Sequence, residues 1–177
     1  MFMVFRSVLF FCTLLLPLWA VGLTQTLVFS EDELQGRLND LTPIQKQTLY
    51  ANLILTYAKL NLLEKNNLIE ITAFIDATVL GGFHGTGSVT VQGSLIYQNQ
   101  QGAFYLDQAK LTHLHVDQMN PSVVAQLKPL VEDVMIQSLK QKPIYQLDNN
   151  DMRQALLKGT LKEITISNKQ LHVTLGF

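Results

Sequence analysis

Cysteine is nearly missing from this chain, with Cys12 alone among 177 residues. That excludes an internal disulfide and a thiolate metal cluster. Charge is sparse as well: charged residues make up 15%, and the formal net charge is -1. Without a basic field or a Lys/Arg run, nucleic acid is excluded as a partner. The signatures of common chemistry are also missing. The stretch "GGFHGTGS" at 81–88 lacks the Gly-Lys-Ser/Thr ending and the strand-to-helix setting of a phosphate loop, and reads as a linker between strands. There is no Gly-x-Ser-x-Gly elbow. Glu70 and Asp76 fall on the polar face of a strand, not in an apolar setting. These absences argue against an enzyme, and no cofactor or metal is expected.

What is present is apolar material, 47% of the residues, enough for one packed domain at this length. The first part of it stands apart. Arg6 is the only charged residue before Glu31, and "SVLFFCTLLLPLWAVGL" follows it. The run is short for a membrane span, which needs about 20 apolar residues. Pro17 interrupts it, and Ala20-Val21-Gly22 provides small residues where a signal peptidase requires them. Residues 1–22 are therefore expected to be a cleaved secretory signal, and 23–177 a single domain. An uncleaved inner-membrane anchor is the competing reading. Phe10 and Phe11 precede Cys12, so no lipobox stands before that cysteine. Cleavage would remove Arg6 and leave a net charge of -2.

Periodicity then sets the elements. "QTLVF" is a short strand. Ser30 and Glu33 form a capping box, with Phe29 and Leu34 at the positions of a hydrophobic staple. Leu34, Leu38 and Leu41 continue at helical spacing until Thr42-Pro43. From Thr48 the period changes to two. Ile69, Ile71, Ala73, Ile75, Ala77 and Val79 share one strand face. In the preceding strand Leu53, Leu55 and Tyr57 alternate, and then Leu60 and Leu62 take the opposite parity, which predicts a bulge near Ala58-Lys59. A second hairpin turns at Asn99-Gln100-Gln101, and the parity switch from Leu106 to Ala109 predicts another bulge. Strands this long must twist, and bulges add to the twist, so a strongly curved sheet is expected.

The stretch "NPSVVAQLKPLVEDVMIQSLKQKPIYQL" at 120–147 opens with an N-cap Asn and a first-turn Pro. Val123, Val124, Leu127, Leu130, Val131, Val134 and Met135 gather in one arc of roughly 140°. That is the face of a helix with a sheet to cover. Pro129 lies on the polar side, where it should bend the helix without opening the apolar face. "KPIYQL" reads as a strand, "DNNDMRQALLKG" as a small helix, and "LKEITISNKQLHVTLGF" as a closing hairpin.

Two features remain as candidate sites. His113, His115 and Asp117 alternate on one strand face, a spacing that could supply metal ligands, although a solvated strand face next to a helix cap is the favoured reading. Ala73, Ala77 and Gly93 interrupt apolar rows, either for close packing or to leave room for a guest.

The order of elements and several stretches resemble the YceB-like lipoproteins, a family whose domain has no assigned function. The similarity is carried by "FSEDELQGRL", "GAFYLDQAKLTHLHVDQMNP" and "LKPLVEDVMIQSLKQKPIYQL". That family's fold is similar to tubular lipid-binding domains, and the resemblance implies an envelope protein that takes a lipid or another apolar molecule. It implies no residue roles. Typical members carry a lipobox cysteine that this chain lacks, so a soluble periplasmic protein is expected, touching membranes at most transiently. The expected fold class is α+β: a long amphipathic helix packed against a highly curved antiparallel sheet, with two short helices. The expected function is a non-enzymatic carrier with an apolar groove lined by Ile71, Ala73, Ile75, Val91, Leu95, Leu127, Leu130 and Val134. The alternative is an envelope interaction or assembly module with a fully packed core and no ligand.

Overall fold

Period-two apolar patterning dictates most of this molecule. The computed structural model describes residues 24–147 and 161–176. The leader (1–22) and the small helix expected over 148–159 lie outside those residues. In chain order the elements are β1 (Thr24–Ser30), α1 (Glu31–Asn39), β2 (Ile44–Gln47), β3 (Ala51–Leu63), β4 (Leu68–Val79), β5 (Phe83–Gln98), β6 (Ala103–Val116), α2 (Pro121–Gln141), β7 (Tyr145–Gln146), β8 (Leu161–Ser167) and β9 (Gln170–Gly176). A 3-10 turn, Glu64–Asn66, joins β3 to β4.

The expected α+β class is corrected. Of the described residues 59% are strand and 24% helix, so the protein is predominantly antiparallel β. It also has two sheets in place of one: β1-β9-β8 and β2-β3-β4-β5-β6-β7. The physical reason is length. β3 to β6 run 13, 12, 16 and 14 residues, far beyond the usual five or six, and they outweigh the one long helix. That helix, α2, has its closest backbone neighbour in β6. It is not a spine with a sheet wrapped around it.

Each strand follows its local pattern. Ile69, Ile71, Ala73, Ile75 and Ala77 of β4 are all buried. In β3 the buried set runs Ala51, Leu53, Leu55 and then Ala58, Leu60, Leu62. The bulge that changes the parity sits at Thr56–Tyr57 opposite Phe74, between the pairs Leu55–Ile75 and Ala58–Ala73. It falls two residues before the expected Ala58-Lys59, because Tyr57 turns outward beside Phe74, their ring centroids 6.2 Å apart. In β6 the expected bulge falls at Gln108–Ala109 opposite Gly93, with Gln108 in the left-handed region at φ 48°. A second irregularity sits at Thr112.

Side chains cover part of the large sheet's margins. Ser30 caps α1, its hydroxyl accepting from Glu33 N at 3.2 Å, and Leu34 and Leu38 bury one face of the helix. The other face lies along β3 past the end of β2. Leu60 N donates to Gln35 Oε1 at 2.7 Å, Gln35 Nε2 donates to Ala58 O at 2.8 Å, and Leu62 N donates to Glu31 Oε2 at 3.0 Å. At the far margin Leu111 N of β6 donates to Glu132 Oε1 of α2 at 3.5 Å. Exposed strand edges invite pairing with other chains, and these contacts cover part of the β3 and β6 margins.

The Asn67 amide joins the two sheets, and beside it Lys169 N donates to Glu64 Oε1 at 3.0 Å. Asn67, left-handed at φ 54°, donates from Nδ2 to Ile164 O at 2.8 Å and accepts at Oδ1 from Ile166 N at 2.7 Å. Its side chain thus takes the place of a neighbouring strand's backbone on β8. An aromatic group adds a second junction: Phe29 of β1 lies 4.3 Å from Tyr145 and 6.3 Å from Phe104, between ring centroids.

Candidate functional site

Helix α2 runs unbroken through Pro129 and buries Leu127, Val131, Val134, Met135 and Leu139. These residues share one core with the inward side chains of β3, β4 and β5. Asn120 caps the helix, its Oδ1 accepting from Ser122 N at 3.0 Å. Val131 is fully buried. On either side of it, towards the two ends of α2, the wall opens.

Near the start of α2 lies a groove of about 630 Å³. Val123, Gln126, Leu127 and Leu130 form its helical wall, at the i, i+3, i+4, i+7 spacing of one helix stripe. Thr48, Tyr50, Ala51, Val79, Leu80 and Phe83 form the opposite wall. Those residues come from two turns built by local rules. Thr48 Oγ1 accepts from Ala51 N at 3.0 Å and Tyr50 N at 3.3 Å. The β4–β5 turn needs Gly81 and Gly82, with φ of 96° and 81°, a region side chains disfavour. Leu80 N donates to Tyr50 O at 2.8 Å and ties the turns together.

The groove is electrically plain. The chain has no Asp, Glu, Lys or Arg in 47–58, 77–106 or 118–127, the three segments that supply its walls apart from Leu130. Its volume falls within the range of about 300–1,000 Å³ typical of small-molecule sites. Near the end of α2 a second pocket, about 150 Å³, is lined by Leu38, Pro43, Leu55, Ala58, Met135 and Leu139 among others. It falls below that range.

The expected groove residues are divided by this geometry. Leu127 and Leu130 line the large groove. Ile71 and Ala73 line the small pocket. Ile75 and Val91 are packed in the core, Leu95 lies half-buried against it, and Val134 borders a shallow cleft beside β2. Among the described pockets, none brings all eight together. Gly93 serves neither helix packing nor a guest. A Cβ there would meet Asp107 O at 2.8 Å, so it makes room for the bulge on β6. Tyr50, Leu80 and Phe83 are not legible as site residues, because they sit in turns that carry no period.

The histidine face is solvated. His115 Nε2 lies 3.0 Å from Asp117 Oδ1 with both side chains about 60% exposed, and the His113 and His115 rings stack at 6.4 Å. On the same sheet His84 Nδ1 lies 3.4 Å from Asp76 Oδ1. Among the described residues no group of three His, Cys, Asp or Glu could hold a metal ion. Burial raises the Tyr97 phenol above its ordinary pKa. Its hydroxyl has no hydrogen-bond partner among the described residues, and its ring lies 4.8 Å from Phe104.

Comparison with known proteins adds a family. The model of the family described as "Protein of unknown function (DUF1439)" matches residues 29–170. No curated protein matches the chain. Among solved structures, the crystal structure of a lipopolysaccharide binding protein is similar over 85% of this chain and 40% of its own, at 13% identity and a TM-score of 0.33. The chain thus spans less than half the length of that protein. The family match covers most of the chain, which therefore belongs to the DUF1439 family.

Proposed function

We propose that this member of the DUF1439 family is a non-enzymatic binder of an apolar ligand, held in the groove between the first half of α2 and the turns before β3 and β5. The supporting observation is the groove itself: about 630 Å³, with no Asp, Glu, Lys, Arg or His among the residues that line it. Such a site rewards burial of apolar area, about 25 cal/mol per Å², and offers no charge to a polar guest. Gln126 in its lining can hydrogen-bond one polar end. A lipid or a similar single-chain amphiphile fits these properties. In the same reading the leader pattern points to the periplasm as the compartment, and the motif resemblance to the YceB-like group supports an envelope role.

The test is uptake of a fluorescent fatty-acid probe by the purified protein, with native mass spectrometry for co-purified ligand. Saturable uptake is expected, weakened at least about ten-fold, or about 1.4 kcal/mol, by Leu130→Trp, which fills the groove from a half-buried position. Ser138→Trp, beside the small pocket, should leave uptake unchanged. Absence of both uptake and co-purified ligand would favour a ligand-free interaction module.

A further inference from the structure

The mouth of the groove ends in an apolar tip. Leu49 is 86% exposed, Tyr50 70%, Leu80 73% and Phe83 58%. These residues project from two adjacent turns joined by the Leu80 N to Tyr50 O hydrogen bond. Large apolar side chains this exposed are ordinary when scattered, but a cluster of them marks a surface that something covers. We propose that the tip docks onto the uncharged face of a lipid bilayer, seating the groove mouth against the source of its ligand. The proposal builds on the groove reading but makes a separate prediction.

Charge decides the occupant. The tip segments carry no Asp, Glu, Lys or Arg, and the neighbouring His84 is turned to Asp76 at 3.4 Å. An anionic surface needs Lys or Arg to attract it, and a charged protein partner needs opposite charge to steer it. The tip offers neither. It offers two leucines and a phenylalanine for the acyl layer and a tyrosine suited to the boundary with water. Geometry supplies the second argument. Tyr50, Leu80 and Phe83 also line the groove, so a surface that covers the tip covers the entrance too. A ligand crossing between bilayer and groove would then pass along apolar side chains without entering water. Because the two turns are tied by backbone, the four side chains can insert as a unit without first being ordered.

The test is flotation of the protein, as recovered from expressing cells, with phosphatidylcholine vesicles. The arms compare vesicles with and without phosphatidylglycerol, at low and high salt. Flotation is expected with phosphatidylcholine alone, unchanged by salt. The double variant Leu49→Asp, Leu80→Asp should lower it at least about ten-fold. Both side chains are exposed, so the fold should survive, as circular dichroism would confirm. The single variant Leu49→Asp, at a residue outside the groove lining, should lower flotation and still take up a probe supplied in solution, while Leu130→Trp should lose uptake and keep flotation. Failure of the tip is thereby separated from failure of the groove. The proposal is overturned by the absence of flotation, by flotation that needs phosphatidylglycerol and disappears in salt, or by flotation that survives the double variant. It is equally overturned if the tip residues instead join two copies, seen as a dimer that the double variant dissolves and that does not float.

Discussion

Tyr97 shows how a single residue can carry a pH signature without belonging to a site. Its phenol is buried against Phe104 with an unpartnered hydroxyl among the described residues, and burial raises its pKa above 10.0. Below pH 10 the phenol is neutral in both the folded and unfolded chains, and its titration leaves stability unchanged. Above pH 10 the unfolded chain gives up the proton first, so stability falls until the folded phenol also ionises. Tyr97→Phe should remove this alkaline loss. It also removes a buried unpaired hydroxyl, which costs about 1–3 kcal/mol, so stability at neutral pH should be equal or higher. Urea titrations at pH 7 and pH 10.5 read both effects; a steeper alkaline loss in the variant would contradict the assignment.

At the scale of elements, the helix and the bulges carry the information. Pro129 sits on the exposed side of α2, and the helix continues through it. The proline leaves the Ala125 carbonyl without its helical donor, and Ala125 is exposed, so water can serve that carbonyl. Pro129→Ala should restore the bond and raise stability by about 2 kcal/mol, the propensity gain less the entropy lost from a constrained unfolded chain. The urea midpoint measures this. A lower midpoint would mean that Pro129 itself helps seat Val131 and Val134. Legibility varies among these elements for physical reasons. β4 can be read outright because its apolar residues keep one parity apart from Leu68 and Phe74. The bulge in β3 stands two residues from its expected place because Tyr57 is apolar by type yet faces solvent. β2, "IQKQ", carries no strand signal; it is a strand only because Asn52–Leu55 of β3 offers it an edge.

For the whole molecule, what matters most is least local. That two sheets form, not one, depends on β1 pairing with β9 across nearly the full chain, and no window of sequence contains that information. The groove is half legible for the same reason. Its helical wall, Leu127 and Leu130, is periodic, whereas its other wall comes from turns brought together by tertiary structure. The joint between the sheets is also a tertiary feature and makes a prediction at this scale. Asn67→Gly retains the left-handed backbone and deletes both bonds to β8. Stability should fall by about 1–3 kcal/mol, measured by urea unfolding. If Asn67 is what couples the sheets, hydrogen exchange in β8 and β9 should accelerate more than exchange in β4. Equal acceleration in both sheets would assign it a general role only.

The pairing of Thr24 with Gly176 has a consequence for connectivity. The two ends of the described fold are strand neighbours, so in outline the chain is close to a closed ring. A short linker could join those ends and new ones be opened elsewhere, for instance at the exposed Asn99–Gln101 turn, leaving the strand pairings intact. It also means that whatever precedes β1 leaves the fold beside its other end. A tether on either end would therefore hold the molecule from the same point.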